Sequence, residues 1–332
     1  MKRLFQTFKG NYPYLLCDGY CGAGVLSATN ADIPHFYMRS FDGSIELLFQ
    51  PAHYFKYEIP EKPLLDLSPT STTETSSQTI ASLIEKFKNT RLLHKIVLAK
   101  RRTHTFNHTL PIEKLLAALL HFFPKENVFA YIPDEETMFF GSSPELLFER
   151  KGDKIFVDCL AGTVTACSNQ SLFTEKLLQE HRFVTEFVVE AIKPFCTNIS
   201  ISEIGTKKAK NLEHLFQSVQ GTLIPSTFDT QLIDALHPTP AVLGIPKDAA
   251  FSFLKEHEPF DREFYAGCIG WLHQDHSRLK VAIRSAFIRK NTFTLFAGAG
   301  IIRLSKPEDE LKEIDNKFHT LEEVFLEKAV SN

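Results

Sequence analysis

The 332-residue sequence lacks the features that mark several classes of protein. It has no run of 18 apolar residues and no apolar core within residues 1–16, so we predict neither a transmembrane helix nor a signal peptide. Neither charge sign dominates, because 37 Lys and Arg stand against 40 Asp and Glu, and this balance gives no electrostatic basis for nucleic-acid binding. Tryptophan occurs only once, whereas phenylalanine occurs 30 times, which we interpret as core filling.

Zinc-binding cysteine patterns are also missing. Six cysteines are scattered along the chain, and the one close pair, Cys17 and Cys21, has no second Cys or His pair at zinc spacing nearby. Scattered free thiols are typical of a reducing compartment. We therefore expect a cytoplasmic protein without disulfide bonds.

Strand and helix patterns occur in blocks, which favours an α+β fold over a doubly wound parallel sheet. Short apolar runs between turn signals predict strands and hairpins over residues 1–60, and the Ser/Thr-rich segment 67–78 predicts a mobile loop. Further strands are predicted at 95–100, 128–132, 137–140, 283–288 and 293–297. Helices are predicted through 80–87, at 112–123, at 173–195 and from about Pro307 onward.

The last predicted helix carries a charged row beside its apolar stripe. Glu310, Glu313 and Lys317 are spaced at i, i+3 and i+7, so their side chains stack on one side of the helix. The stripe that they border consists of Leu311, Ile314, Phe318, Leu321 and Phe325. Two carboxylates beside a core, after a glycine-rich strand end, indicate a site for a divalent metal and an anion, although a solvated helix face shows the same spacing.

The long predicted helix adds a third carboxylate. Glu180 falls within the stripe that Leu177 and Val184 form, where an unpaired carboxylate is costly. A local salt bridge would satisfy it, but together with Glu310 and Glu313 it indicates a shared metal. Oxygen ligands without cysteine favour Mg²⁺.

Two other side chains suit acid–base chemistry. Glu145 follows a Gly-Ser-Ser-Pro turn and heads an apolar run, where a raised pKa would suit a general acid; a carboxylate at a helix start is the simpler alternative. Lys95 opens a buried strand, where a desolvated lysine can act as a base; a strand-end lysine that reaches solvent is the alternative.

A proline-rich loop and two polar residues complete the candidates. Three prolines and a glycine at 236–246 specify a rigid loop, which we expect to line a pocket. Tyr265 and Arg284 add a phenol and a guanidinium that we place on strands. An arginine on a strand can hold a carboxylate with two hydrogen bonds, or it can form a structural ion pair.

Nine motifs in one order resemble those of the chorismate-binding enzymes, over roughly residues 90–325. They are K-I-V-L-A-K at 95–100, G-S-S-P-E at 141–145, A-G-T at 161–163, E-K-x-x-x-E-H at 175–181, H-P-T-P-A-V-x-G-x-P at 237–246, Y-A-G-x-I-G-W at 265–271, A-I-R-S-A at 282–286, A-G-A-G-I at 297–301 and S-x-P-x-x-E-x-x-E-x-x-x-K at 305–317. Within the family, Lys95 and the form His-Pro-Thr-Pro-Ala241-Val are most similar to isochorismate synthases.

The resemblance implies one chorismate-binding domain over residues 1–332, with 1–66 as a shortened, divergent β part and 90–325 as the catalytic core. The implied fold is α+β, with two orthogonally packed, mostly antiparallel sheets flanked by helices in four αββα layers. The implied activity is the Mg²⁺-dependent isomerisation of chorismate to isochorismate, by water addition at ring carbon 2 and loss of the 4-hydroxyl. We expect a cytoplasmic monomer that acts on this small molecule and needs no glutaminase subunit, nucleic acid or membrane.

The resemblance also implies a role for individual residues. Lys95 would be the general base and Glu145 the general acid, while Glu180, Glu310 and Glu313 would hold Mg²⁺. Substrate contacts would come from Gly162, Thr163, His214, Ala241, Tyr265, Arg284, Gly298, Gly300 and Lys317.

Three alternatives stay open. An aminating large subunit, of the aminodeoxychorismate or anthranilate synthase type, would use ammonium, and Lys95 and Ala241 argue against it. A salicylate synthase would also release pyruvate. A pseudoenzyme would bind chorismate without converting it, and departures from the family pattern at 166–167, Leu177 and Cys268 allow this. The sequence does not indicate whether the product feeds menaquinone, siderophore or another biosynthesis.

Overall fold

The structure, a computed structural model, describes residues 12–25, 32–58, 60–63, 65, 67–123, 127–165, 171–209 and 212–326. Its strands form two sheets in which every described pairing is antiparallel. Helices accompany both sheets, so the predicted α+β class with two antiparallel sheets is confirmed.

The first sheet has ten strands. They are β1 (Tyr14–Cys17), β2 (Tyr20–Ala23), β5 (His53–Lys56), β6 (Ser71–Glu74), β7 (Lys95–Thr105), β8 (Val128–Ile132), β9 (Thr137–Ser142), β15 (Gly244–Ile245), β18 (Ser285–Arg289) and β19 (Thr292–Ile301). Their order is β15-β7-β19-β18-β9-β8-β1-β2-β5, with β6 also paired to β7. The long pairing of β7 with β19 places Lys95 next to the glycine-rich end of β19.

The second sheet has nine strands. They are β3 (His35–Arg39), β4 (Glu46–Phe49), β10 (Leu146–Lys151), β11 (Lys154–Thr165), β12 (Cys196–Ile201), β13 (Gly205–Ala209), β14 (Leu212–Leu223), β16 (Cys268–Leu272) and β17 (His276–Val281). Their order is β12-β14-β11-β10-β17-β16-β3-β4, with β13 also paired to β14.

The described residues form six α-helices, of which four match helices predicted from apolar spacing. They are α1 (Ser77–Asn89), α2 (Ile112–Phe122), α3 (Glu175–Ile192), α4 (Asp229–Leu236), α5 (Lys247–His257) and α6 (Pro307–Phe325). No prediction covered α4 or α5. The Thr174 hydroxyl caps α3 by accepting a hydrogen bond from the Leu177 amide, and Pro307 opens α6, where its missing N–H has no helical partner to lose. Within the described ranges, no helix combines the length and apolar character needed to cross a membrane.

The segment 67–78 differs from its prediction. β6 pairs with the C-terminal half of β7, and the Thr72 hydroxyl contacts the His104 ring at 2.8 Å. All four β6 side chains are exposed, so no apolar alternation marks this strand in the sequence. The prediction of a mobile loop is therefore wrong for these residues.

Phenylalanine side chains fill a core that extends across both sheets, as its frequency suggests. Phe139 lies at the centre of one cluster, with ring centroids 5.6 Å from Phe129, 5.7 Å from Phe264 and 4.6 Å from Phe287. The five described cysteines are free thiols, whereas Cys167 lies outside the described residues.

Candidate active site

A cavity lies where the two sheets, α3 and α6 meet. Its wall includes most of the side chains and glycines that the sequence singled out: Glu145, Gly162, Thr163, Glu180, His214, Ala241, Tyr265, Arg284, Gly298, Gly300, Glu313 and Lys317. Lys95 and Glu310 do not line it, but each contacts or neighbours a residue that does. Apolar side chains such as Val97, Val242 and Phe296 complete the wall.

Glu145 is a buried carboxyl group at the edge of this cavity, with 4 % of its surface exposed. It precedes strand β10, so the alternative of a carboxylate at a helix start is wrong. Burial and the neighbouring charge of Asp158 raise the pKa of Glu145 to about 8, although nearby lysines, of which Lys95 has the largest effect, oppose the rise. Glu145 is therefore protonated at neutral pH and able to donate a proton.

Lys95 is fully buried at the start of β7, so the alternative of a strand-end lysine in solvent is wrong. Its Nζ atom lies 3.1 Å from Oε1 of Glu180. Gly300 makes this approach possible, because a Cβ there would lie 2.0 Å from Oε1 of Glu180 and 2.9 Å from Cε of Lys95. The glycine after the A-G-A motif thus leaves room for a buried ion pair at the cavity wall.

Each of the three predicted metal ligands is paired with a different lysine. Besides Lys95 with Glu180, Lys317 lies 2.7 Å from Glu313, and Lys176 forms an ion pair with Glu310. Because of these pairings the carboxylates do not form a ready chelating cluster. The described residues include no group of three or more acidic, His or Cys side chains arranged to hold a metal ion.

One carboxylate oxygen of Glu310 is nevertheless available to bind a cation. Its Oε2 atom is buried and has no hydrogen-bond partner, which is costly for a carboxylate oxygen. Burial and the neighbouring charge of Glu313 raise the pKa of Glu310, while Lys176 opposes the rise. An orphaned buried oxygen beside two further carboxylates fits the oxygen donor set that Mg²⁺ prefers.

Three side chains that line the cavity, those of Arg284, His214 and Thr163, are linked by hydrogen bonds. Arg284 donates from Nη2 to Nε2 of His214 at 2.8 Å, so the His214 proton is on Nδ1, which donates to the Thr163 hydroxyl at 3.0 Å. Burial and the charge of Arg284 lower the pKa of His214 well below its usual range, which keeps this ring neutral. Burial also lowers the pKa of Arg284 to about 10, so the guanidinium remains cationic at neutral pH.

Arg284 and Tyr265 lie in tight turns, and their predicted placement on strands is wrong. Arg284 has φ +48° in the bend that leads into β18, and its carbonyl accepts from the Ser142 amide at 3.1 Å. Tyr265 lies in the turn before β16, where its ring stacks on Phe296 with centroids 5.1 Å apart. Burial raises the pKa of Tyr265, so its phenol stays protonated.

Backbone geometry accounts for two further predicted positions. Gly162 has φ +76° within an irregular step of the β11–β14 pairing, a conformation that favours glycine. The carbonyl of Gly298 accepts a hydrogen bond from Nζ of Lys317 at 2.7 Å, which fixes that lysine at the cavity edge.

Two of the residues that depart from the family pattern, Leu177 and Cys268, are buried and packed in the interior. Leu177 is buried in a small cluster with Val164, Leu172 and Leu215 and packs against Gly162. Cys268 is a fully buried thiol in β16. Residues 166–167 lie outside the described residues.

The sequence reading missed Lys176 as a site residue. A signal was present, because Lys176 precedes Glu180 by four positions in α3 and so lies on the same helix face. What the spacing does not show is that Lys176 reaches across to Glu310 on α6.

Comparison with known proteins gives consistent matches. A family profile described as chorismate binding enzyme matches residues 34–326. The isochorismate synthase MenF of Bacillus subtilis (strain 168) is 37 % identical over 234 residues, and DhbC, an isochorismate synthase of the same organism, is 35 % identical over 247 residues. The structure of MenF, the menaquinone-specific isochorismate synthase from Escherichia coli, superposes with a TM-score of 0.84 at 25 % identity, covering 95 % of this chain and 89 % of that one.

The chain is shorter than these curated relatives. The two Bacillus alignments cover 67 % and 69 % of this chain but only 50 % and 62 % of the relatives. The chain therefore spans less than two-thirds of the length of either relative.

Proposed function

This chain belongs to the family of chorismate-binding enzymes, and we propose that it is an isochorismate synthase. The observation that carries the proposal is the buried Glu145, whose raised pKa favours its protonated form, in the same cavity as Glu180, which in turn pairs with Lys95. Such a pair of proton donor and amine is what an exchange of hydroxyl groups on a ring requires. The similarity to two isochorismate synthases of Bacillus subtilis supports the same activity.

The acid and the base act at different atoms of the ring. Lys95 acts as the base and accepts a proton from the water molecule that attacks ring carbon 2. Glu145 donates its proton to the departing 4-hydroxyl, and the ring double bonds shift as that oxygen leaves as water. One water enters and one leaves, so the product is an isomer of the substrate.

Positive charges around the cavity match a substrate with two carboxylates. Arg284 and Lys317 both line the cavity. We propose that they hold the enolpyruvyl carboxylate, together with the Tyr265 phenol and the backbone at Gly300. The backbone at Gly162 and Thr163 would receive the ring carboxylate. His214 and Ala241 would border the ring.

We propose that Mg²⁺ binds between α3 and α6, where it would supply counter-charge to the ring carboxylate. Glu180, Glu310 and Glu313 would hold the ion, directly or through water, and the orphaned oxygen of Glu310 supports this assignment. Glu180 also pairs with Lys95, so a metal ion held by Glu180 would compete with that lysine for the carboxylate. We further propose that the enzyme is monomeric, cytoplasmic and independent of a glutaminase subunit. We also propose that it has a single domain, because one hydrophobic core extends across both sheets.

Product analysis tests the proposed function. The pure protein is incubated with chorismate and Mg²⁺, without ammonium, and the products are separated and identified by mass. We expect an isomer of chorismate that elutes as isochorismate, with no pyruvate. An amino-substituted product that depends on ammonium would identify an aminating subunit instead, and salicylate with pyruvate would identify a salicylate synthase. Chorismate that binds but remains unconverted would identify a pseudoenzyme.

A further inference from the structure

We propose that Arg262 is a positioning residue of the chorismate site, because it ties three separate parts of the cavity wall together from behind. This role rests on the proposed function of the cavity. Arg262 itself does not line the cavity, and only 2 % of its surface is exposed.

The Arg262 guanidinium makes four directed hydrogen bonds. Two go to the Glu258 carboxylate, from Nε at 2.7 Å and from Nη2 at 2.9 Å. The other two go to main-chain carbonyls, from Nη1 to Val242 at 2.8 Å and from Nη2 to Val97 at 2.7 Å. Glu258 in turn accepts a hydrogen bond from the Ala99 amide at 3.2 Å.

The two carbonyls belong to different walls of the cavity. Val97 lines the cavity from β7, two residues after Lys95. Val242 lines it from the proline-rich loop, next to Ala241. One guanidinium therefore fixes the spacing between the strand that carries the proposed base and the loop that borders the ring.

Arg262 also supports a third wall through Tyr265. The Tyr265 amide donates to the Arg262 carbonyl at 2.8 Å, and the guanidinium carbon lies 5.9 Å from the centre of the Tyr265 ring. The guanidinium also lies over the Phe41 ring, with its carbon 4.4 Å from the ring centre. Its N–H groups point at the two carbonyls and at the Glu258 carboxylate at once, a geometry that lysine cannot reproduce.

A purely structural ion pair is the competing explanation, and the chain offers a matched control. Arg150 likewise makes two hydrogen bonds to one carboxylate, that of Asp229, and donates to the carbonyls of His273 and Gln274. It lies at the far end of β10 from Glu145, and neither Arg150 nor Asp229 lines the cavity. Loss of this pair should affect folding but not the cavity.

The experiment compares Arg262→Met, Arg262→Lys, the double variant Arg262→Met/Glu258→Met, and Arg150→Met with the wild-type protein. For each we would measure chorismate binding by calorimetry in Mg²⁺, kcat and KM, and the unfolding temperature. The double variant removes both charges, so it avoids a buried unpaired carboxylate and keeps the test usable where Arg262→Met alone is too unstable.

Positioning predicts that the Arg262 variants, including the folded double variant and Arg262→Lys, weaken chorismate binding and raise KM by about tenfold or more, with a smaller change in kcat. Arg150→Met should bind chorismate like the wild type even where its unfolding temperature falls. A double variant that binds chorismate as tightly as the wild type would overturn the positioning role alone. A wild-type protein that binds no chorismate would overturn the proposed function as well.

Discussion

Glu145 shows how burial prepares a carboxyl group for proton donation. Its pKa of about 8 arises first from desolvation and second from Asp158, which itself is held by Lys207 at 2.7 Å. Because the protonated form of Glu145 is the one proposed to act as general acid, loss of that proton should lower kcat/KM as pH rises through about 8. A pH profile of kcat/KM measures this limb directly.

The same raised pKa predicts a stability effect of known sign. A carboxyl group whose pKa is higher in the folded than in the unfolded state favours folding less as pH rises between its ordinary value and about 8. Glu145→Gln places an uncharged group that cannot donate the proton, so the variant should not form isochorismate. Because glutamine stays neutral at every pH, the unfolding temperature of the variant relative to the wild type should be higher at pH 9 than at pH 5. If kcat/KM of Glu145→Gln also fell as pH rose through about 8, the titrating group would be a residue other than Glu145.

Lys95 and Lys100 offer a comparison within one strand. Both are fully buried on β7, but Lys95 pairs with Glu180 at the cavity, whereas Lys100 pairs with Glu74 and Asp315 away from it. We expect Lys95→Gln to lower kcat by about 10²–10⁴-fold while chorismate still binds, as for the loss of a general base. Lys100→Gln should keep near-normal turnover in the same steady-state assay. Equal losses in the two variants would remove the special role of Lys95.

Helices α3 and α6 carry the three carboxylates of the proposed metal site, which we call the acidic wall. Two lysines on the same helices pair with two of these carboxylates. Lys176 on α3 reaches Glu310 on α6, while Lys317 lies one turn after Glu313 within α6. Only the Lys176–Glu310 pair links the two helices, since the Lys317–Glu313 pair lies within α6. A metal ion at this wall would compete with these lysines for the carboxylates.

This competition predicts opposite effects of two substitutions on metal affinity. Lys176→Met removes a competitor of the ion and should tighten Mg²⁺ binding, whereas Glu313→Ala removes a ligand and should weaken it. Calorimetric titration of the substrate-free protein with Mg²⁺ measures both affinities without relying on turnover. The exposed pair Lys193–Glu190 at the end of α3 provides the control, because Lys193→Met should leave Mg²⁺ affinity unchanged. If both site variants bind Mg²⁺ like the wild type, the metal binds elsewhere.

Local patterns predicted the elements that carry the site better than they predicted its contacts. The stripe of α6 is regular because one face packs on the core over the whole helix, with Ile314, Phe318 and Leu321 buried as expected. β6 was missed because its side chains are polar and exposed, so the strand shows no apolar alternation. The turns at Tyr265 and Arg284 depend on distant neighbours, such as Phe296 and Ser142, which no short window of sequence contains.

The site itself forms only when the two sheets come together. Lys95 meets Gly300 through the register of β7 against β19, and Glu145 and Arg284 approach the cavity from connections between strands of different sheets. The residue pattern had singled out the charged row on α6 and also Lys95, Glu145 and Arg284, each with an alternative left open. Resemblance to a family added Gly300 and the role expected of each residue. The sequence did not indicate the contacts of Arg262. Glu258 and Arg262 are four positions apart, but α5 ends at His257 and Pro259 follows, so helical spacing does not predict their pairing.

The central claim is that water enters at ring carbon 2 with Lys95 as base while Glu145 releases the 4-hydroxyl. Conversion of chorismate in water enriched in ¹⁸O, followed by mass spectrometry of the isolated product and its fragments, tests this claim most directly. The account predicts isochorismate that carries ¹⁸O in its new 2-hydroxyl and has lost the original 4-oxygen. Isochorismate without the heavy oxygen would contradict it.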